Sequence, residues 1–196
     1  MSNETDQKIR KAHKRKLLVI MALLLAPVVI SYSLYFFEYR PASTNYGELI
    51  EFQTIKGIGL NQADNTIFRP RDLQGKWVMI SVDSGNCDEA CKTKLYHMRQ
   101  VRLVQNKEMH RVERVWLIDD DEPYDTALVD AYKGTIFINA KGSEILESFK
   151  PIESQRKHIY LVDPMGNVMM RFPENANPSL MVNDLKRLLH LSQMEH

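Results

Sequence analysis

The chain has 196 residues, a formal net charge of +1 and 26% charged side chains. This near-neutral balance gives no sign of a nucleic-acid-binding protein or of a site for a strongly charged substrate. Six basic and two acidic side chains lie in residues 1–16, and the part from residue 39 onward is slightly acidic.

An uncharged run of 21 residues, Leu17–Phe37, follows this basic segment. As a helix rising about 1.5 Å per residue it is about 31 Å long, close to the hydrocarbon thickness of a bilayer. The excess of Lys and Arg before the run predicts that residues 1–16 lie in the cytoplasm and that the following residues lie outside it. We therefore expect a single-pass anchor at 17–37 contacting the lipid bilayer. In a bacterium the outer compartment is the periplasm, where thiols are readily oxidised.

Residues 38–47 carry Pro, Ser, Thr, Asn and Gly, which is typical of a linker. Residues 48–196 are then long enough for one domain with its own core. We expect a buried strand at Trp77–Val82, a helix from Asp88 to about Gln105, and a second strand at Arg111–Asp119. A helical segment over Pro123–Tyr132 and a helix starting at Pro178 are also predicted.

The clearest hairpin lies at His158–Phe172, where two β-rich runs flank Asp163-Pro164-Met165-Gly166-Asn167. Residues 135–157 fit strand and helix equally well. This order of elements predicts an α/β fold, with a mixed sheet and helices on both of its faces.

The only two cysteines of the chain, Cys87 and Cys91, follow the first strand directly. Asn86 is a plausible N-cap, which would make Cys87 the first helical residue. Cys91 would then lie on the same face one turn later. A strand that runs into a cysteine at a helix N-terminus describes the thioredoxin-like arrangement, in which the helix end stabilises a thiolate. A redox pair, a metal site, a structural disulfide and two unconnected core thiols are the alternatives at this point.

The segment "CDEAC" after a strand, followed by a helix, a second strand and "YLVDPMGNV", resembles the Sco/SenC family of membrane-anchored copper proteins. The resemblance covers most of residues 66–192 in the order of elements. It implies a thioredoxin-like fold, copper bound by Cys87, Cys91 and a distal histidine, and action on the dinuclear copper site of cytochrome c oxidase subunit II. Partners would then be this subunit or other assembly factors.

Two positions depart from the Sco pattern. Lys92 stands where the family has proline after its second cysteine, and Gln155 stands at the usual position of the histidine. His158 is then the candidate third ligand. Two thiolates and an imidazole suit copper, with Cu(I) favoured by the soft sulfur atoms.

Three functions follow as hypotheses. The first is a copper-handling assembly factor of the bacterial inner membrane. The second is a periplasmic thiol–disulfide oxidoreductase without metal, in which Cys87 attacks and Cys91 resolves. The third is a non-catalytic interaction module that retains the fold.

Overall fold

The computed structural model describes residues 3–36 and 45–192. Helix α1, Asn3–Phe36, belongs to one compact unit, and the residues from Asn45 onward form another. The segment His13–Ser33 within α1 is long and apolar enough to cross a membrane, and none of it is buried in protein. The predicted anchor at 17–37 thus coincides with helix α1 up to Phe36. Phe37 and most of the predicted linker lie outside the described residues.

The second unit is built on one eight-stranded mixed sheet. Its spatial strand order is β1-β8-β7-β4-β5-β6-β2-β3. Strands β4, β5 and β6 are parallel, and all the other neighbouring pairs are antiparallel. The strands are β1 Glu48–Thr54, β2 Gly59–Asn61, β3 Ile67–Phe68, β4 Trp77–Asp83, β5 Val112–Ile118, β6 Thr135–Asn139, β7 Ile159–Val162 and β8 Asn167–Arg171.

This unit also contains three α-helices: α2 Glu89–Leu103, α3 Thr126–Ala131 and α4 Pro178–Leu191. Their buried hydrophobic residues join one core cluster on one face of the sheet. The opposite face carries a second cluster, covered in part by the short 3-10 segments Pro70–Leu73 and Glu144–Ser148. The predicted α/β fold with a mixed sheet and helices is therefore confirmed, but the helices are divided unequally, with the three α-helices on one face and only 3-10 segments on the other.

The central strand β4 explains where the functional site lies. All seven of its residues are buried, as expected for a strand covered on both faces. The parallel pairing with β5 requires a crossover, which α2 provides. Because α2 begins where β4 ends, the two cysteines lie at the carboxyl edge of the middle of the sheet.

The hairpin is confirmed as β7 and β8. Asp163 donates its N–H to the carbonyl of Asn167, and Gly166 has φ +92°, a value that favours glycine. The ambiguous residues 135–157 comprise strand β6 and the 3-10 segments Glu144–Ser148 and Gln155–Lys157, so neither a long strand nor a long helix occurs there.

Candidate functional site

Cys87 and Cys91 are joined by a disulfide, with their Cα atoms 5.2 Å apart. Both belong to the core cluster beneath α2. Cys91 is fully buried, whereas Cys87 keeps 8% of its surface exposed. The structure therefore brings the two predicted site residues together and excludes two unconnected core thiols. Since Cys87 is the less buried of the two residues, we expect a second molecule to reach it first.

The start of α2 differs from the prediction. Asp88, not Asn86, is the N-cap: its Oδ1 accepts a hydrogen bond from the N–H of Cys91 at 2.9 Å, and Glu89 is the first helical residue. Asn86 instead donates its N–H to Ser84 Oγ in the preceding turn. Cys87 therefore precedes the helix, and the prediction that it is the first helical residue was wrong. The helix N-terminus acts most directly on Cys91, the third helical residue.

The loop between β4 and the cysteines is held against the loop that follows β5. Gly85 donates its N–H to Asp120 Oδ1 at 2.9 Å. A Cβ atom at residue 85 would lie 1.8 Å from the carbonyl oxygen of Glu122, so this approach requires glycine. The backbone that carries Cys87 is thus fixed by a neighbouring loop and not by α2 alone.

A network of ion pairs lies beside the same loop. Asp83, the last residue of β4, pairs with Lys94 of α2 at 2.6 Å, and both side chains are nearly buried. Lys94 also donates to the carbonyl of Arg156. Arg156 in turn binds Asp119 at 2.6 Å and Asp120 at 3.1 Å. These linked interactions therefore connect the ends of β4 and β5 to the segment before β7.

Burial raises the pKa of Asp83 above its ordinary value, and the neighbouring Lys94 opposes this shift. The sequence did not indicate that Asp83 pairs with Lys94, or that Arg156 joins them. Asp83 is a charged residue between an apolar strand and the turn that leads to Cys87. This position was the feature of the sequence that could have indicated its role.

A polar cleft of about 520 Å³ opens next to the cysteine loop. Neither sulfur lines it, but residues on both sides of Cys87 do. Its lining includes Asp83, Asn86, Asp88, Ala90, Lys94, His97, Arg156 and Glu174. A polypeptide segment that reached Cys87 would have this cleft beside it.

His158 lies just before β7 and is buried, with 5% of its surface exposed. Its Nδ1 lies 2.9 Å from the carbonyl oxygen of Phe172, which can only accept, so Nδ1 carries the proton. The buried Nε2 has no hydrogen-bond partner in the described residues. His158 lines a smaller cleft of about 280 Å³, next to Tyr46, Ile152 and Arg171.

The structure does not bring His158 together with the cysteines as a finished metal site. Within residues 3–36 and 45–192, no group of three or more His, Cys, Asp or Glu side chains is placed to hold a metal ion. Gln155 is engaged elsewhere: its Nε2 donates to the carbonyls of Leu146 and Phe149 at 2.6 and 2.8 Å. The role of His158 as a third ligand stays a prediction.

Residues 77–192 match the family model of the transmembrane-like, thioredoxin-like C-terminal domain. The chain belongs to this family. The match begins at β4 and ends with α4, so the family domain contains the cysteine pair and His158. A search of curated proteins gave no match.

Solved structures show the same fold. Copper-bound ScoI from Bradyrhizobium japonicum is 19% identical, with a TM-score of 0.53, over 69% of this chain and 99% of ScoI. BsSco, described as a member of the Sco family of cytochrome c oxidase assembly proteins with a disulfide switch, is 19% identical, with a TM-score of 0.54, over 74% and 97%. The thioredoxin domain of a thiol–disulfide oxidoreductase from Bacteroides vulgatus is 14% identical, with a TM-score of 0.51, over 72% and 99%. The predicted thioredoxin-like, Sco-type fold is confirmed.

Proposed function

We propose that this protein is a membrane-anchored assembly factor that handles the thiol redox state, or the copper, of the copper site in cytochrome c oxidase subunit II. The observation that carries the proposal is the Cys87–Cys91 bond at the carboxyl end of β4. Two related structures support the proposal: ScoI was solved with copper bound, and BsSco is described as an oxidase assembly protein with a disulfide switch.

The redox step is a thiol–disulfide exchange. In the reduced protein the Cys87 thiolate attacks a disulfide of the target, and one target thiolate leaves. The Cys91 thiolate then attacks Cys87, which releases the second target thiolate and forms the Cys87–Cys91 bond. Two electrons pass to the target, whose copper-ligand thiols become free. The slight exposure of Cys87 and the complete burial of Cys91 favour this division of roles.

We propose that the protein carries copper as a cargo. Once reduced, the pair offers two soft sulfur ligands, which favour Cu(I). His158 can present Nε2 to a metal, because its Nδ1 lies 2.9 Å from the Phe172 carbonyl oxygen and Nε2 has no hydrogen-bond partner in the described residues. Metal-bound histidines commonly donate their second N–H in this way. We propose Cys87, Cys91 and His158 as the ligand set of the reduced protein.

The proposed location follows from the anchor. Residues 1–16 would lie in the cytoplasm, 17–37 would span the bacterial inner membrane, and 38–47 would link the anchor to a periplasmic domain at 48–196. The basic residues before helix α1's apolar stretch support this orientation. A periplasmic site is consistent with a cysteine pair that is joined by a disulfide.

A trapping experiment tests the exchange reaction. The full chain carrying Cys91→Ser is purified in neutral detergent, reduced, and mixed with the oxidised copper-site domain of oxidase subunit II. We expect a covalent one-to-one complex that reductant releases, because Cys87 can attack but nothing resolves the mixed disulfide. Cys87→Ser is the matched control and should trap far less, since Cys91 is buried.

Anaerobic Cu(I) competition titration separates the alternatives. We expect the reduced wild-type chain to bind one Cu(I), and the Cys87→Ser, Cys91→Ser double variant to lose this affinity. Removing so short a ring costs only about 2 kcal/mol in the chain-entropy account, so the variant should still fold. Trapping without copper binding would favour a metal-free oxidoreductase. Neither trapping nor copper binding, together with normal oxidase assembly in cells carrying the double variant, would favour a non-catalytic module.

A further inference from the structure

Arg114 is a buried charge that the proposed function does not use. It is the third residue of β5 and is 2% exposed. Val112 and Trp116, two positions away on either side, belong to the core beneath α2, and strand alternation places the Arg114 side chain on the same face. A guanidinium in such a place is costly unless anions or acceptors satisfy it.

Its hydrogen bonding is incomplete. Nη2 donates to the carbonyl of Lys133 at 2.9 Å, whereas Nε and Nη1 have no partner in the described part of the chain. No carboxylate of the described residues forms an ion pair with it. Thr135, the register neighbour of Arg114 on β6, also has a buried and unpartnered Oγ1. Register neighbours share a face of the sheet, so three unsatisfied polar atoms lie in one region. Such groups are rare in folded proteins, and each needs an explanation.

The surroundings of Arg114 are positive. Arg102, in the last turn of α2, donates Nε to the Val112 carbonyl at 2.6 Å, and this bond fixes it beside β5. Arg99, nearly one turn earlier on α2, is exposed. Burial first, and then repulsion from Arg102 and Arg99, lower the pKa of Arg114 to about 10, whereas Glu113, the preceding residue on β5, opposes this shift. The described residues therefore concentrate cationic donors here, and no carboxylate among them forms an ion pair with Arg114.

One side of the Arg114 guanidinium lies beside Gly134. Gly134 is exposed, and a Cβ atom added there would lie 3.2 Å from Arg114 Nη2, with no other atom outside residues 133–135 within 4 Å. The exposed Gly134 therefore lies directly beside Nη2 and carries no side chain that would cover it.

We propose that Arg114, Arg102, Arg99 and Thr135 form a binding site for a phosphate-class oxyanion, entered past Gly134. Guanidinium groups bind phosphate with strong, charge-assisted hydrogen bonds, and a hydroxyl adds a further donor. The phosphate can belong to the headgroup of an anionic phospholipid or to free inorganic phosphate, and the chemistry of the site is the same for both. The site lies at the amino end of β5, opposite the edge that carries the cysteines, so it is separate from the redox pair.

Thermal unfolding of the full chain in neutral detergent tests the site. Inorganic phosphate is titrated against chloride at constant ionic strength and pH. We expect a saturable rise in Tm of about 3 °C at a tenfold excess over the dissociation constant. Arg114→Met should abolish this rise, and Arg99→Gln, on the exposed side of the cluster, should weaken phosphate binding severalfold. Arg187→Met, which removes an exposed arginine from α4, is the control and should respond as the wild type does.

A second arm identifies the source of the phosphate. The full chain is placed in nanodiscs of phosphatidylcholine, with or without phosphatidylglycerol, and amide exchange at residues 133–135 is measured. Protection that requires phosphatidylglycerol and Arg114 supports the headgroup, whereas protection by inorganic phosphate alone supports the free ion. A wild type that responds equally to phosphate and chloride, or an Arg99→Gln variant with unchanged phosphate affinity, would overturn the proposal even if Arg114→Met failed to fold.

Discussion

The Nζ atom of Lys94 lies 2.6 Å from Oδ2 of Asp83, and side-chain exposure is only 12% and 9% for the two residues. This pair connects the end of β4 to α2 on either side of the cysteine loop. Removing one partner of a buried pair is far more costly than removing an exposed one, because the other charge is left unsolvated. The loop therefore depends on both charges.

Replacing Lys94 by Met should lower the free energy of unfolding by about 3 kcal/mol at pH 7, because Asp83 then stays buried without its cation. The matched control is Lys92→Met on the same helix: its partner Glu89 is 90% exposed, and little change is expected. Urea unfolding of the disulfide-bonded proteins measures both. Equal losses in the two variants would contradict the argument.

The loss in Lys94→Met should depend on pH. Burial already raises the pKa of Asp83 above its ordinary value of 3.8, and removing Lys94 raises it further. A raised folded-state pKa means that the native protein binds the proton more tightly than the unfolded chain does. The variant should therefore regain stability as the pH falls through the raised pKa towards 3.8, and its deficit should be complete only above that pKa. A deficit that is constant between pH 4 and 7 would show that Asp83 is not its source.

Asp88 should influence both the helix and the reactivity of the pair. Asp88→Ala removes the N-cap bond to Cys91 N–H and should cost about 1 kcal/mol. Asp88→Asn keeps a capping side chain but removes the negative charge, so stability should change little. In the reduced protein, iodoacetamide should then alkylate the cysteines of Asp88→Asn faster than those of the wild type at pH 7, because a nearby anion no longer opposes the thiolate. An unchanged alkylation rate would mean that the Asp88 charge does not reach the thiols.

The N-cap of α2 could not be predicted from the sequence alone. Asn86 and Asp88 are equally acceptable capping residues, and only the three-dimensional path of the turn decides between them. By contrast, strand β4, helices α2 and α4, and the hairpin were predictable, because each has clear periodicity or turn chemistry within a short window. The cysteine pair followed from that local order.

Long-range contacts account for what was not predicted. Strand β1 pairs with β8, more than 100 residues later, and its exposed edge position leaves little hydrophobic pattern in its sequence. The bond between Arg156 and Asp119 likewise joins segments whose sequences do not identify each other. The environment of Arg114 was hidden for the same reason, because a single arginine within an apolar strand does not indicate whether an acceptor lies nearby.

Gly85 should be intolerant of a side chain. In Gly85→Ala, the new Cβ would overlap the Glu122 carbonyl, a backbone atom that cannot rotate away. We expect a loss of about 1–3 kcal/mol in the free energy of unfolding, and a changed rate of reduction of the Cys87–Cys91 bond by dithiothreitol. Gly142→Ala is the control: it has open space around the added Cβ but a φ of +65°, so it should lose a little stability without affecting reduction. Identical reduction rates in Gly85→Ala and the wild type would show that the Gly85 loop does not influence reduction of the disulfide.

His158 offers the sharpest test of the proposed ligand set. Asn at this position can retain a donor to the Phe172 carbonyl, whereas it lacks the second ring nitrogen that would bind copper. We therefore expect His158→Asn to stay folded and, once reduced, to bind Cu(I) at least tenfold more weakly than the wild type in competition titrations. Trapping of the mixed disulfide by Cys91→Ser should be unaffected by adding His158→Asn, because the exchange uses sulfur alone. A His158→Asn variant with wild-type copper affinity would leave the two cysteines as the only ligands from this proposed set, and a variant that lost both properties would point to a purely structural role for the histidine.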